Sequence, residues 1–345
     1  MQIVFAEAQL GHHPSGFLVR GQRQPCPEVP ARAMVLKEAA EGHGHRLVRP
    51  ESYGAGPRAA VHTPRYLRFL ETAHERWQAL PGASPEVIPN VHPNGLKGGY
   101  PESIVGQAGH HMADTACPIA AGSWPAILAS ADTAVHAARL VQGGAPAAYA
   151  LCRPPGHHAF ADMAGGFCYL NNCAIVATEL RRHAARVAIL DVDLHHGNGT
   201  QGIFYARADV LTVSVHADPA NFYPFFWGHA AERGEGAGEG YNLNLPLPLG
   251  SGDAPFLAAL ERGLAEIRAY APDALVVALG LDAFEGDPLA GLKVTTPGFE
   301  AICRRIGGLK LPTVLVQEGG YPSPELGRNL VASLKGFEEG RAGSA

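Results

Sequence analysis

Cysteine is scarce. Six residues in 345 are Cys (Cys26, Cys117, Cys152, Cys168, Cys173, Cys303), and no Cys-x-x-Cys occurs. That scatter excludes a zinc ribbon, and so few thiols in a chain this long point to a reduced, cytoplasmic setting rather than a disulfide scaffold. No apolar run approaches the roughly 20 residues of a membrane helix. The start, Met1-Gln2-Ile3-Val4-Phe5, lacks the basic lead of a secretory signal. Charged residues make up only 17% of the chain, and their balance is −5. Without a basic surplus, neither nucleic acid nor a membrane surface is an expected partner. There is no Gly-x-Ser-x-Gly elbow and no P-loop, which removes the serine-hydrolase and phosphate-cradling readings.

What is present is an ordinary globular composition, 46% hydrophobic with 42 Gly and 28 Pro, and an unusual 17 His. Strand and helix patterns alternate. Strands are expected at Gln2–Phe5, Ala147–Arg153, Val187–Leu190, Val210–His216, Tyr241–Leu245, Ala274–Leu279 and Thr313–Gln317. Helices are expected at Pro30–Gly42, Pro64–Leu80, Ala126–Gly143, Asn171–His183, Ala254–Ala271, Pro297–Leu309 and Pro324–Lys335. This order predicts one α/β domain spanning 1–345, a mostly parallel sheet with helices on both faces and a site at the carboxyl ends of its strands. Glu7–Arg32 reads as a loop, either a wall of the cleft or a surface connection. Pro81–Pro101, broken by Pro and Gly, reads as an insertion at about 81–102 of the length that usually carries function.

The chain is organised around Ile189–Thr200, Ile-Leu-Asp-Val-Asp-Leu-His-His-Gly-Asn-Gly-Thr. An apolar strand ends abruptly in Asp191, Asp193 and His195, spaced two apart and so on one face. Buried carboxylates and an imidazole at a strand end call for a compensating cation, and oxygen with nitrogen donors suits zinc, iron or another divalent ion. Further clusters follow other predicted strands. Arg153-Pro-Pro-Gly-His-His158 offers neutral His as a general base. Gly165-Gly-Phe-Cys168 brings backbone and an aromatic ring close together. Leu279-Gly-Leu-Asp282 supplies a natural third metal ligand beside Asp193 and His195. Glu318-Gly-Gly-Tyr321 carries a phenol able to donate to a carbonyl as negative charge develops.

These pieces, with Val61-His-Thr-Pro-Arg-Tyr66 and Ser214-Val-His216, resemble the zinc-dependent histone deacetylase superfamily of the arginase-like fold. The resemblance is nearest to the bacterial acetylpolyamine amidohydrolases, and Asn198 in the turn matches the class II and bacterial branch. It implies zinc, with ferrous iron as the alternative, on Asp193, His195 and Asp282. His158 would be general base and then acid, His157 paired with Asp191 would act electrostatically, and Tyr321 would polarise the amide carbonyl. Gly166 would offer its backbone to the substrate amide, and Phe167 and Tyr223 would flank a narrow tunnel. A structural potassium would sit on Asp191, Asp193, His195, Ser214 and Val215, and a second monovalent ion on Phe204, Arg207, Val210 and Tyr241. The 81–102 insertion would form a homodimer contact, and the substrate would be a small acetylated amine. The acidic residues that acetylpolyamine members place at the tunnel mouth fall here at Gly16, Val105 and Ala116; Glu102 and Asp114 stand nearby.

Other readings are the same site acting on another acyl group or small amide, a non-catalytic acyl-ligand binder, and a two-metal ureohydrolase. The last would want a further acid at position 284, where Phe284 stands.

Overall fold

The structure, a computed structural model, describes residues 1–93 and 98–343. Residues 94–97, inside the expected insertion, and 344–345 lie outside the described residues. In chain order the elements are β1 (Gln2–Val4), the hairpin β2 (Phe17–Val19) and β3 (Gln22–Gln24), α1 (Pro30–Gly42), β4 (Arg46–Val48), α2 (Gly56–Ala59), α3 (Pro64–Gln78), α4 (Ile104–His111), α5 (Ser123–Gln142) and β5 (Ala147–Ala150). Then follow α6 (Asn172–Leu180), β6 (Val187–Asp191), α7 (Asn198–Phe204), β7 (Val210–Ala217), β8 (Asn242–Leu247), α8 (Asp253–Tyr270), β9 (Ala274–Leu279), α9 (Thr296–Gly307), β10 (Thr313–Gln317) and α10 (Leu326–Ala342).

Eight strands form a sheet in the order β4-β1-β5-β10-β9-β6-β7-β8, and every pairing within it is parallel. The parallel sheet needs cover on both faces, which explains why β6 and β9 read as continuous apolar runs. Side chains alternate between the two layers. Ala188 and Leu190 face one core with Leu36 of α1, Leu260 of α8, Ile302 of α9 and Leu330 of α10. Val187 and Ile189 face the other, with Ala134 and Ala138 of α5 and Val176 of α6. A third cluster ties Tyr66, Phe69 and Leu70 of α3 to Ile104 and Ala108 of α4 and Ile127 of α5.

Helix starts follow local chemistry. Thr63 caps α3 by accepting from Tyr66 N, with Pro64 at the first turn, and Asn171 caps α6 by accepting from Ala174 N.

Several parts differ from the sequence expectation, among them the short helices α2 and α7. Glu7–Arg32 is not simply loop: it holds a turn of 3-10 helix at Glu7–Gly11 and the hairpin. β4 is a three-residue edge strand, too short to show a period. α4 was not expected either, because Gly106 and Gly109 lower its helix propensity.

Candidate active site

Strand order places the chemistry. β5, β10, β9 and β6 are neighbours in the sheet, and each carries a cluster just past its carboxyl end. From β6 come Asp193 and His195, from β9 Asp282, from β5 the pair His157–His158 and from β10 Tyr321. All six side chains are buried, with His195 retaining 8% exposure and His158 4%.

Asp193, His195 and Asp282 converge, their ligand atoms all within 4.8 Å of one another. His195 Nδ1 stands 3.3 Å from Asp193 Oδ1 and 3.1 Å from Asp282 Oδ2. A tetrahedral ion with ligands at about 2.0–2.1 Å has donor-to-donor edges of about 3.3 Å, so the trio has the dimensions of one face of such a site. The outer lone pairs are already engaged. Asp193 Oδ1 accepts from His195 N at 2.9 Å and Oδ2 from Gly319 N at 2.8 Å, while Asp282 Oδ1 accepts from Leu194 N at 3.0 Å. Such outer contacts orient metal ligands. Gly319 is needed here by space: a Cβ on it would lie 2.2 Å from Asp282 Oδ2.

The electrostatics report the same demand for positive charge. Burial alone would push His195 down, but hydrogen bonds to Asp193 and Asp282 raise it to about 9. Burial raises Asp282 and the facing Asp193 carboxylate adds to that. Asp193 moves down against its burial, because His157 and His195 stand beside it. A divalent cation would take the place of the His195 proton and settle both carboxylates in their charged forms.

The two adjacent His have opposite roles in charge. His157 Nδ1 lies 2.9 Å from Asp191 Oδ2, and its Nε2 lies 3.8 Å from Asp193 Oδ1. Against the effect of burial, Asp193 and Asp191 raise it to about 10. His158 Nδ1 stands 2.7 Å from Asn198 Oδ1, so Nδ1 carries the ring proton and Nε2 keeps its lone pair. Burial, with His157 and His195 nearby, holds His158 well below the ordinary His value. The result is one charged and one neutral imidazole with ring centroids 4.0 Å apart.

Tyr321 is pinned by its backbone, whose N–H donates to Asp287 Oδ2 at 2.9 Å. Burial lifts its phenol well above the usual value, so it remains a donor. Its ring meets Phe167 edge-on at 5.7 Å and lies under the Arg32 guanidinium at 4.8 Å. Tyr223 is edge-on to His158 at 5.0 Å and to His195 at 5.9 Å, and Phe222 stacks on His195 at 5.3 Å.

Sequence reasoning missed a buried charge cluster beneath these loops. Glu28 pairs with Arg32 Nη1 at 2.7 Å and Arg153 Nε at 2.9 Å. Arg32 then donates to the carbonyls of Glu318 and Gly320, and Arg153 donates to those of Gln9 and His12. The segment reads as loop, so no pattern announced it. Phe17 of the hairpin meets Phe167 edge-on at 5.3 Å and was equally invisible.

Asp191 and Ser214 are register partners on β6 and β7. They line a small polar hollow with Gln201, Thr212 and Asn242, in which His196 Nδ1 and Asn244 Oδ1 are buried without a hydrogen-bond partner. Of the other expected cation ligands, Tyr241 O accepts from Thr212 N and Phe204 O from Arg207 N, both beside Val210 at the head of β7. Of the two acids near the expected mouth, Asp114 reaches the site by accepting from Gly166 N and Tyr223 Oη. Glu102 is exposed, its carbonyl held by Arg76.

A second convergent group among the described residues, His157, Cys168 and Glu318, reads differently. Glu318 Oε2 is spent on the N–H groups of Gly156 and His157, and burial pushes the Cys168 thiol far up. It braces the His-His loop rather than offering free ligands.

Comparison with known proteins agrees with this geometry. Residues 26–337 match the histone deacetylase domain. The chain is 50% identical over 341 residues to an acetylpolyamine amidohydrolase of Burkholderia pseudomallei, covering 98% of each chain. It is 41% identical to an acetylpolyamine amidohydrolase of Mycoplana ramosa, covering 97% of this chain and 99% of that one. A crystal structure of the acetylpolyamine aminohydrolase from Burkholderia pseudomallei superposes with a TM-score of 0.93 at 49% identity, covering 98% of each chain.

Proposed function

This chain belongs to the histone deacetylase family and is an amide hydrolase of the deacetylase type; we propose that it removes acetyl groups from small acetylated amines, acetylpolyamines first among them, with Asp193, His195 and Asp282 holding zinc. The observation that carries this reading is the convergence of those three donors beside one neutral His, one charged His and a buried phenol. The same oxygen and nitrogen donors suit ferrous iron. The ion supplies Lewis acidity and brings the pKa of water toward neutrality.

The protein's part follows from its own groups. His158 Nε2 takes the proton as water adds to the amide carbonyl, then returns it to the departing amine. His157 stays charged on Asp191 and stabilises the negative charge that builds. Tyr321 donates to the carbonyl oxygen at the same moment. Gly166 offers its backbone to the substrate amide, and Phe167 and Tyr223 flank the acyl-amine chain. The products are acetate and a free amine. Asp191, Asp193, His195, Ser214 and Val215 would hold a potassium ion; Asp191 and Ser214, which line the small polar hollow, support their part of that set. Phe204, Arg207, Val210 and Tyr241 hold a second monovalent ion. The described residues of the insertion, 81–93 and 98–102, form a homodimer contact, and the protein works in the cytoplasm.

The test is acetate release, with zinc restored after chelation, from N-acetylputrescine, N-acetylcadaverine, acetylspermidine, an acetyl-lysine peptide and a neutral acetamide. Preference for the diamines is expected. Preference for the peptide or the neutral amide would remove the polyamine assignment, and turnover of none of them would remove the deacetylase reading.

A further inference from the structure

Asp114 sits just past α4, half-buried, and its carboxylate gathers donors from three separate segments. Oδ1 accepts from Ala116 N at 2.8 Å in its own loop. Oδ2 accepts from Gly166 N at 3.1 Å and from Tyr223 Oη at 2.7 Å. Gly166 and Tyr223 in turn pack against His158. Gly166 has φ +51°, and a Cβ on it would lie 2.4 Å from His158 Cδ2 and 2.8 Å from Tyr223 Oη. Phenol oxygen, Gly166 backbone and His158 ring therefore form one packed group, and no side chain fits between them.

We propose that Asp114 is a positioning residue for the deacetylase reaction proposed above, a latch that fastens Tyr223 and Gly166 together and so sets the aperture through which a thin amide reaches His158. A carboxylate suits the task, because it accepts on both oxygens and its charge strengthens each bond. Asn at 114 would keep one acceptor oxygen and turn an NH2 toward N–H donors. Phe at 223 would keep the ring and lose only the donor.

The test uses zinc-loaded wild type, Asp114→Asn, Tyr223→Phe and the double variant, with thermal melts to check folding. Substrates are N-acetylputrescine, the equally long but neutral N-acetylpentylamine, and a thicker branched acyl amide of the same amine. Each single variant is expected to lose about tenfold in kcat/KM on both thin substrates, the size of one lost hydrogen bond to a charged acceptor, mostly through KM. The double variant is expected to lose no more than Asp114→Asn alone, because the contact that Tyr223→Phe removes is already broken there. The thicker amide is expected to gain relative to the thin ones. Additive losses, or singles within twofold of wild type, would overturn the latch. So would loss on the cationic substrate alone in Asp114→Asn with Tyr223→Phe unaffected, since Asp114 would then be a charge receptor. Wild type that hydrolyses none of these amides would instead overturn the deacetylase reading on which the latch rests.

Discussion

Replacing Glu28 by Gln tests whether the buried charge cluster holds the catalytic loops. Glu28 has no exposure, and the two guanidinium groups it pairs with are at most 2% exposed. The substitution keeps the shape and removes the one carboxylate between two buried cations. Removing one partner of a buried ionic network costs about 3–5 kcal/mol, because the remaining charge is left uncompensated. With an unfolding entropy of about 2.1 cal/mol/K per residue, 345 residues give about 0.7 kcal/mol/K. The melting temperature should fall by about 4–7 °C in scanning calorimetry or fluorimetry. Arg304→Ala, whose partners Glu300 and Glu339 are at the surface, should show no measurable shift.

The pH dependence adds a second reading. Although burial would raise Glu28, Arg153 and Arg32 hold it below its ordinary value of 4.5. A depressed folded value means the stabilisation is complete above pH 4.5 and is lost as pH falls through that folded value. The gap between wild type and variant should stay constant from neutral pH down to about 4.5 and close only below it. A shift under about 1 °C, or a gap that closes between pH 8 and 6, would refute the reasoning.

Tyr321→Phe should lower kcat for acetamide hydrolysis about 10²–10³-fold with KM nearly unchanged. Its melting temperature should hold, because the ring contacts with Arg32 and Phe167 survive; a kcat within threefold of wild type would remove Tyr321 from the reaction. Zinc at about 100 times its Kd should stabilise the chelated protein by about 2.7 kcal/mol, or about 4 °C. Asp282→Asn should abolish most of that shift, and a melt indifferent to both zinc and chelator would remove the metal site. Asn198→Asp places a carboxylate 2.7 Å from His158 Nδ1, where it favours the imidazolium. The acid limb of kcat/KM should then move up by about 1–3 pH units; an unmoved limb would mean that another group sets it.

The candidate metal trio Asp193, His195 and Asp282 and the pair His157–His158 stood out in the sequence because each follows an apolar strand. Val187–Leu190 and Ala274–Leu279 are apolar at every position, so the acids that follow them stand out against the pattern. Boundaries drifted at α10, which runs to Ala342, past the expected end at Lys335. Gly106 and Gly109 hid α4, and the polar β2–β3 hairpin, with Gln22-Arg23-Gln24 on one strand, offered no apolar alternation to find.

By itself the sequence determined the alternating α/β architecture, the parallel sheet and which residue types stand at which strand ends. Those depend on local periodicity and on abrupt polarity at the end of an apolar run, both readable over a dozen residues. Only the tertiary structure decided that β5, β10, β9 and β6 lie side by side, and hence that His158, Tyr321, Asp282 and Asp193 share one site. It also decided which of the acids near the mouth reaches that site: Asp114 does, through Gly166 and Tyr223, and Glu102 does not. The physical reason is range. Glu28 meets Arg153, Arg32 meets the Glu318–Gly320 turn, and Asp114 meets Tyr223 across stretches of chain on which no periodicity acts. Such contacts form only when the sheet closes and their charges and donors have no other partner.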